Sequence, residues 1–232
     1  MKLVLIHGAG NRKEVWDDFV SCLPPEIDVV ALELPGHGEN EGEGFTSIED
    51  YASWVADYIR KNGLEPVVVA GHSMGGAVAL TLLSKEPSLL KGGVLISTGA
   101  RLKVNPQILE GLKSDYVGTI RKIAPWTVAK GAPQDVMDRV VEIFSSCKPE
   151  VAYGDFVACD NFDGREYAQN IKLPVLIVVG DKDMMTPVKL SEELNRLIPN
   201  SELKVVEGAG HMIQLEKPEK LASVVVDFLK KL

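Results

Sequence analysis

A serine at position 73 lies in the pentapeptide GHSMG, residues 71–75, between an apolar β-branched run and a segment of helical character. The residues before it predict a buried strand, and the small and apolar residues after it predict a helix. Such a turn lifts Ser73 above the end of the strand in a strained conformation, and glycine at positions 71 and 75 removes Cβ atoms that would collide with neighbouring segments. Ser73 is therefore a candidate nucleophile.

A serine hydroxyl becomes a good nucleophile when a base takes its proton, so a histidine must lie within reach. The chain has four histidines. His72 belongs to the turn itself and is expected to point away from Ser73, while His7 and His37 follow the first and second predicted strands in glycine-flanked loops. His211, in the loop after the last predicted strand, is the candidate base.

The base needs a carboxylate that fixes its tautomer and stabilises the imidazolium. The fifth predicted strand runs into GDKDMMTP, which offers Asp181 and Asp183. The oxyanion that develops during attack on a carbonyl needs amide donors, and the backbone N–H of Met74 is one candidate because it follows the nucleophile at the start of a helix. The residues by themselves leave both aspartates open.

Apolar segments alternate with helical segments along most of the chain and must position these groups. Strands are predicted over residues 2–6, 27–34, 67–71, 93–97, 173–179 and 202–206. Continuous apolar strands between helices are typical of a parallel sheet covered on both faces. We predict an α/β fold with a mostly parallel, doubly wound, six-stranded sheet in the order 2-1-3-4-5-6, whose switch point brings residues 7–10 and Ser73 into one crevice.

Helix starts are predicted from capping patterns. Asn11 with Glu14 three residues later resembles a capping box, and Thr46 with Glu49 repeats the spacing. Each pair predicts that a helix begins directly after its first member.

Residues 101–172, between the fourth and fifth predicted strands, break the alternation and are richer in mixed charge, proline and aromatic residues. A structureless loop of that length is implausible in a compact domain, so the segment is expected to be a folded insertion. Its aromatic side chains could line a substrate pocket or form the insertion's own core; they are Tyr116, Trp126, Phe144, Tyr153, Phe156 and Phe162.

The composition excludes several classes of protein. A formal net charge of −8 over 232 residues argues against a surface for nucleic acid or anionic membrane. No segment is long enough for a signal sequence or a membrane span, which predicts a cytoplasmic protein. The three cysteines lack metal-ligand spacing and are expected to be free thiols, and no metal or cofactor is expected. The sequence leaves the choice between monomer and homodimer open.

In its strand and helix context, the G-x-S-x-G turn resembles the nucleophile elbow of the α/β-hydrolase superfamily. The resemblance implies a serine carboxylesterase-like member with the triad Ser73, Asp183 and His211 in that chain order. The family's G-x-x-D spacing selects Asp183 and leaves Asp181 as a turn residue. The family's HG-x loop implies Ala9 as the second oxyanion donor beside Met74.

The resemblance also implies a domain organisation. The insertion at residues 101–172 corresponds to the helical cap over the active site, and residues 1–100 with 173–232 correspond to the hydrolase core. The segment in which the chain returns from the insertion to the sheet is also similar to members of the family; it reads ACDNFDGREYAQNIKLPVLIVVGDKD. Because the first predicted strand begins at residue 2, we expect a sheet of six strands without the extra antiparallel strands that often open the fold.

We therefore expect a serine hydrolase that cleaves small carboxylic esters through an acyl-enzyme. The same triad serves C–C bond hydrolases, lactonases, thioesterases and perhydrolysis, and a hydroxynitrile lyase or a ligand sensor that keeps the pocket are further alternatives. Dehalogenase and epoxide hydrolase activities are disfavoured, because enzymes of this fold with those activities carry an aspartate at the position of Ser73. A dinucleotide site at Gly8 and Gly10 is disfavoured because Lys13 occupies the third glycine position.

Overall fold

The computed structural model describes residues 2–232 and contains one sheet of six parallel strands. The strands are β1 (Lys2–Ile6), β2 (Asp28–Ala31), β3 (Val67–His72), β4 (Leu90–Ile96), β5 (Val175–Gly180) and β6 (Ser201–Val206). Their order is β2-β1-β3-β4-β5-β6, which confirms the predicted fold class and strand order.

Burial along each strand explains its composition. Strands β3 and β5 are buried at every position, as continuous apolar runs require when helices cover both faces. The edge strand β6 is partly exposed along most of its length and accordingly carries polar residues. The other edge strand, β2, is shorter than the predicted residues 27–34, and residues 32–34 belong to the following loop.

Helices connect the strands on both faces of the sheet. They are α1 (Asp17–Ser21), α2 (Ile48–Lys61), α3 (Met74–Lys85), α9 (Val188–Leu197), α10 (Ile213–Glu216) and α11 (Pro218–Leu229), with 3-10 turns at Lys13–Trp16 and Pro87–Leu89. Among residues 2–232, no helix has both the length and the apolar character needed to cross a membrane.

Both predicted capping boxes are wrong. Asn11 is buried, and its amide donates to the Ala9 carbonyl at 2.8 Å instead of capping a helix. The chain continues through the 3-10 turn, whose N-cap residue makes no side-chain hydrogen bond. Helix α2 is capped one residue later than predicted, because the extended Ser47 rather than Thr46 accepts the Asp50 N–H at 3.1 Å.

Five helices fill the insertion between β4 and β5. They are α4 (Pro106–Ser114), α5 (Tyr116–Thr127), α6 (Gln134–Ser146), α7 (Pro149–Asn161) and α8 (Arg165–Asn170). An isolated bridge between Arg101 and Asp163, and a 2.7 Å hydrogen bond from Gly164 N–H to the Ala100 carbonyl, close the base of the insertion. The division into a core of residues 1–100 and 173–232 and a cap of residues 101–172 remains a prediction.

Candidate active site

Ser73 stands in the turn that joins β3 to α3, with φ +54° and ψ −116°. Residues other than glycine rarely adopt this region of conformational space. A Cβ atom at Gly71 would collide with the Gly75 carbonyl, and a Cβ atom at Gly75 would collide with the Ile6 carbonyl of β1. The two glycines therefore allow the turn to pass between its neighbours.

Hydrogen bonds from the adjacent strand hold this strained turn. The Ser73 N–H donates to the Ile96 carbonyl at the end of β4, at 2.9 Å. The Thr98 hydroxyl donates to the Ser73 carbonyl at 2.8 Å, and the Gly76 N–H donates to the same carbonyl at 2.9 Å. Tertiary contacts thus fix a conformation that costs roughly 1–3 kcal/mol.

His211 and Asp183 lie together although 28 residues separate them. His211 Nδ1 faces the carboxylate, 3.0 Å from Oδ2 and 3.2 Å from Oδ1. The proton of a neutral imidazole therefore lies on Nδ1, which leaves Nε2 as a proton acceptor. Burial alone would raise the pKa of Asp183, but the charge and hydrogen bonds of His211 and the bonds from Thr186 lower it below its usual value.

Thr186 is a contributor that the sequence did not indicate. Its hydroxyl donates to Asp183 Oδ2 at 2.8 Å and lies 3.2 Å from His211 Nδ1. Its N–H donates to Asp183 Oδ1 at 2.8 Å. The signal lay in the short spacing, because an aspartate can accept the N–H groups of the residues that follow it in an Asx-type turn; here Asp183 Oδ1 accepts those of Met185 and Thr186.

Asp181 has a different role from Asp183. Its Oδ1 accepts the Gly208 N–H at 2.7 Å, and its Oδ2 lies 2.9 Å from Lys182 Nζ. It therefore joins the loops that follow β5 and β6, and the Asp183 carboxylate is the one that faces His211.

His72 supports the loop that carries His211. Its Nε2 donates to the His211 carbonyl at 2.9 Å, and the two rings lie 4.7 Å apart. Burial and the nearby His211 lower the pKa of His72 to about 3, so the ring is neutral. Nothing in the sequence indicates this contact, because His72 and His211 are far apart in the chain and only the sheet brings them together.

The loop after β1 presents Ala9 beside the elbow. The Gly8 carbonyl, on the same peptide unit as the Ala9 N–H, accepts from His7 Nδ1 at 2.9 Å and from the Asn11 N–H at 3.2 Å. His7 Nε2 in turn accepts the Leu34 N–H at 3.2 Å, so His7 carries its proton on Nδ1. Burial and the nearby His37 hold the pKa of His7 well below its ordinary value.

Met74 is the first residue of α3 and is fully buried. Its N–H is one of the first-turn amides that have no partner within a helix, and it therefore has hydrogen-bonding capacity for a group placed above the turn. The helix dipole also favours negative charge at this end.

A cavity of about 90 Å³ lies between the sheet and the insertion. Ser73, His211, Ala9 and Thr186 line it on the side of the sheet. The insertion contributes most of the apolar wall, formed by Leu102, Val104, Ile123, Phe144, Phe156 and Cys159. Burial raises the pKa of the Cys159 thiol, so the thiol is neutral there.

Four of the insertion's six aromatic residues divide between the two expected roles. Phe144 and Phe156 line the cavity. Tyr116 and Phe162 are buried, and the Tyr116 hydroxyl donates to the Phe144 carbonyl at 2.5 Å, so this pair belongs to the core. Trp126 is 45% exposed on α5.

Metal-ligating residues do not cluster at this site. Within residues 2–232, no group of three or more histidine, cysteine, aspartate and glutamate side chains could hold a metal ion. The polar side chains that line the cavity on the side of the sheet include Ser73, Thr186 and His211, and His211 binds Asp183.

Comparison with known proteins places the chain among hydrolases. A family model described as the alpha/beta hydrolase family matches residues 3–224. A pimeloyl-[acyl-carrier protein] methyl ester esterase of Neisseria meningitidis is 31% identical over 243 aligned positions, which cover 99% of this chain and 93% of the relative.

Two further proteins agree with that placement. An (E)-2-((N-methylformamido)methylene)succinate hydrolase of Acinetobacter baylyi is 25% identical over 242 positions, covering 98% of this chain and 90% of the relative. The solved structure of a thermophilic esterase matches with a TM-score of 0.87 and 33% identity, over 99% of this chain and 89% of that chain.

Proposed function

The chain belongs to the alpha/beta hydrolase family and is a hydrolase of the carboxylesterase type, and on that premise we propose that Ser73, Asp183 and His211 form the catalytic triad of a serine esterase. The observation that carries the proposal is that His211 binds Asp183 through Nδ1 and lines the same cavity as Ser73. Since Nδ1 is occupied by the carboxylate, Nε2 is the nitrogen that takes the serine proton.

Acylation begins when His211 Nε2 takes the Ser73 proton and Oγ attacks the ester carbonyl carbon. The carbonyl oxygen becomes an oxyanion, which accepts hydrogen bonds from the Ala9 and Met74 amides. Collapse of this intermediate breaks the bond to the alcohol oxygen, and His211 gives its proton to the departing alcohol. The product is an ester between the substrate's acyl group and Ser73.

Deacylation repeats these steps with water. His211 takes a proton from water, the hydroxide attacks the acyl carbon, and Ser73 leaves with the proton that His211 returns. Asp183 stabilises the imidazolium during both halves of the reaction without accepting its proton. The free carboxylic acid and the resting serine result.

We propose as substrates esters with a short apolar acyl group or a small alcohol. A cavity of about 90 Å³ with mostly apolar walls favours such groups. The Neisseria relative is named for a methyl ester, whose alcohol is the smallest that an ester can release. Lactones and thioesters would use the same residues and are therefore included as competing substrates in the assays.

The experiment is a burst-phase assay with p-nitrophenyl esters of increasing acyl length, followed by steady-state assays with methyl esters, a lactone and a thioester. The test variant is Ser73→Ala. The matched control is Ser84→Ala, which changes a serine near the C-terminal end of α3, the helix that begins directly after Ser73; Ser84 does not line the cavity. We expect a stoichiometric burst in the wild type and in the control, and none in Ser73→Ala.

Two outcomes would contradict the proposal. Full turnover by Ser73→Ala would remove Ser73 as the nucleophile. A folded wild type without burst or turnover on any of these substrates would favour the alternative that the pocket senses a ligand.

The cytoplasmic location and the choice between monomer and homodimer remain predictions. Cell fractionation would test the location, and light scattering of the purified protein would give its mass in solution.

A further inference from the structure

One carboxylate of the insertion, that of Asp155, is buried against the core beside the loop that carries Ala9. Asp155, on α7, is 0% exposed. Its Oδ2 accepts the Gly10 N–H at 2.8 Å and lies 2.8 Å from His37 Nε2, and its Oδ1 accepts the Tyr51 hydroxyl at 2.6 Å. The carboxylate thus has three donors from three separate parts of the core.

His37 supplies the positive charge that a buried carboxylate requires. Its Nδ1 lies 3.0 Å from the Pro35 carbonyl, and its Nε2 faces Asp155. Because both ring nitrogens face acceptors, both carry protons and the ring is an imidazolium. Burial opposes this charge, but the Asp155 carboxylate outweighs burial and raises the pKa of His37.

The bond from Gly10 to Asp155 restrains the peptide unit next to Ala9. The N–H of that unit belongs to Gly10 and donates to Asp155, while its carbonyl belongs to Ala9 and accepts from the Asn11 side-chain amide at 2.8 Å. The preceding peptide unit, which carries the Ala9 N–H, is held at its Gly8 carbonyl. Rotation about Ala9 is therefore restricted from both sides.

The insertion also packs directly on Gly10. This residue has φ +64°, and an added Cβ atom would lie 3.2 Å from the Phe144 ring and 3.6 Å from the Ala152 Cβ atom. Phe144 belongs to α6, and Ala152 lies one turn before Asp155 on α7. The insertion therefore contacts the loop through both packing and a charged hydrogen bond.

We propose that Asp155 is a positioning residue that aims the Ala9 amide at the oxyanion, so that the insertion must be seated on the core before the oxyanion hole is competent. The proposal rests on the proposed function, since it needs Ala9 to be an oxyanion donor. A donor displaced by about 1 Å can cost roughly 10²-fold in rate, so the effect is measurable.

If Asp155 served only to pair with His37, every variant that loses the ion pair would have the same kcat. Two variants of similar size separate this structural role from the positioning role. In Asp155→Asn, the amide oxygen can still accept the Gly10 N–H, and the amide nitrogen can donate to the Tyr51 hydroxyl. Asp155→Leu fills the same space without any acceptor. Both variants lose the ion pair with His37, and Asn alone keeps the acceptor for Gly10.

The experiment measures kcat and KM for a p-nitrophenyl ester, and thermal unfolding, for the wild type, Asp155→Asn and Asp155→Leu. We expect both variants to unfold at lower temperature. We expect Asp155→Leu to lose about 100-fold in kcat with little change in KM, because the lost interaction acts in the transition state. Asp155→Asn should stay within a few-fold of the wild-type kcat.

A second measurement does not depend on whether Asp155→Leu folds. Amide hydrogen exchange of the wild type, resolved by NMR, should show the Gly10 amide strongly protected. Rapid exchange at Gly10 would overturn the proposal, and so would equal kcat values for folded Asp155→Asn and Asp155→Leu. If instead the wild type shows neither a burst nor turnover that depends on Ser73, the proposed function itself fails.

Discussion

Four histidines occupy four different environments in this protein, and each environment assigns a different role. His7 is neutral and fixes the Gly8 carbonyl, while His72 is neutral and supports the His211 backbone. His37 is charged because it faces the buried Asp155. His211 faces a carboxylate with Nδ1 and lines the cavity. Hydrogen-bond partners and burial, not residue type, decide which histidine is available as a base.

The Asp183 carboxylate should control the His211 tautomer. We expect Asp183→Asn to lower kcat by about 10⁴-fold with little change in KM, because an amide donor at this position favours the wrong tautomer. Steady-state kinetics with a p-nitrophenyl ester measure the effect.

Asp181→Asn provides the control, since it changes the neighbouring aspartate that binds Gly208 and Lys182 instead of His211. The control should keep kcat near the wild-type value. Equal losses of kcat in the two variants would mean that the reaction depends on the structure of the loop after β5 and not on the carboxylate that faces His211.

The elbow glycines should tolerate no side chain. Gly75→Ala places a Cβ atom against the backbone of β1, so we expect a loss of at least about 3 kcal/mol in the free energy of unfolding, or failure to fold. Gly63→Ala is the control, because Gly63 has φ +56° but no atom within 4 Å of an added Cβ.

The control should lose roughly 1 kcal/mol from backbone strain alone. Urea unfolding compares the two variants. A Gly75→Ala protein as stable as Gly63→Ala would show that the close approach of the turn to β1 can relax.

At the scale of elements, the sheet brings together loops that are distant in the chain. Because β1, β3, β5 and β6 run parallel, the loops after them carry Ala9, Ser73, Asp183 and His211 at one edge of the sheet. The insertion supplies the opposite wall of the cavity through α5, α6 and α7. The core thus presents the polar groups, and the insertion determines the shape of the space above them.

Helix α5 offers a matched test of that division. Ile123 lines the cavity, whereas Ile120 is buried on the same helix and does not line it. We expect Ile123→Ala to shift the optimum acyl length toward longer chains, because removal of the side chain enlarges the cavity. Kinetics over a series of p-nitrophenyl esters measure the optimum.

Both isoleucine variants should lose about 2–5 kcal/mol in the free energy of unfolding, so stability does not distinguish them. Ile120→Ala should keep the wild-type length optimum. An unchanged length optimum in Ile123→Ala would mean that the acyl chain lies against a different wall of the cavity and does not contact Ile123.

At the scale of the whole molecule, the Asp155–His37 pair joins the insertion to the core through two side chains that are fully buried. A buried pair is strongly destabilising when one partner is removed, because the other charge is left without compensation. The pair therefore links the seating of the insertion to the protonation of one histidine.

The pH dependence of stability follows from that link. The Asp155 carboxylate raises the pKa of His37 from 6.5 to about 10, so between these values the folded protein keeps a proton that the unfolded chain loses. The stabilisation is complete below about pH 6.5 and falls as the pH rises, by about 1.4 kcal/mol per pH unit for one proton.

The comparison is between the wild type and the double variant His37→Gln, Asp155→Asn, which has neither charge. The difference in their free energies of unfolding, measured in urea from pH 7 to pH 9.5, should shrink as the pH rises. Parallel curves for the two proteins would show that His37 is not charged in the folded state.

The sequence by itself determined the fold and the chemical class. Continuous apolar strands between helices predicted a parallel sheet covered on both faces, because each residue's hydrophobicity is a local property. The same kind of evidence located the turn at Ser73, and the small number of histidines drew attention to His211 before any contact was known.

Only the tertiary structure decided which side chains meet. Asn11 has a capping pattern in the chain, yet it is buried and its side-chain amide binds the Ala9 carbonyl, because the tight loop after β1 brings the two groups within hydrogen-bond distance. Asp155 gave no signal in the sequence, since its partners Gly10, His37 and Tyr51 are more than 100 residues away. Such contacts depend on packing between distant segments, and local residue patterns carry no record of them.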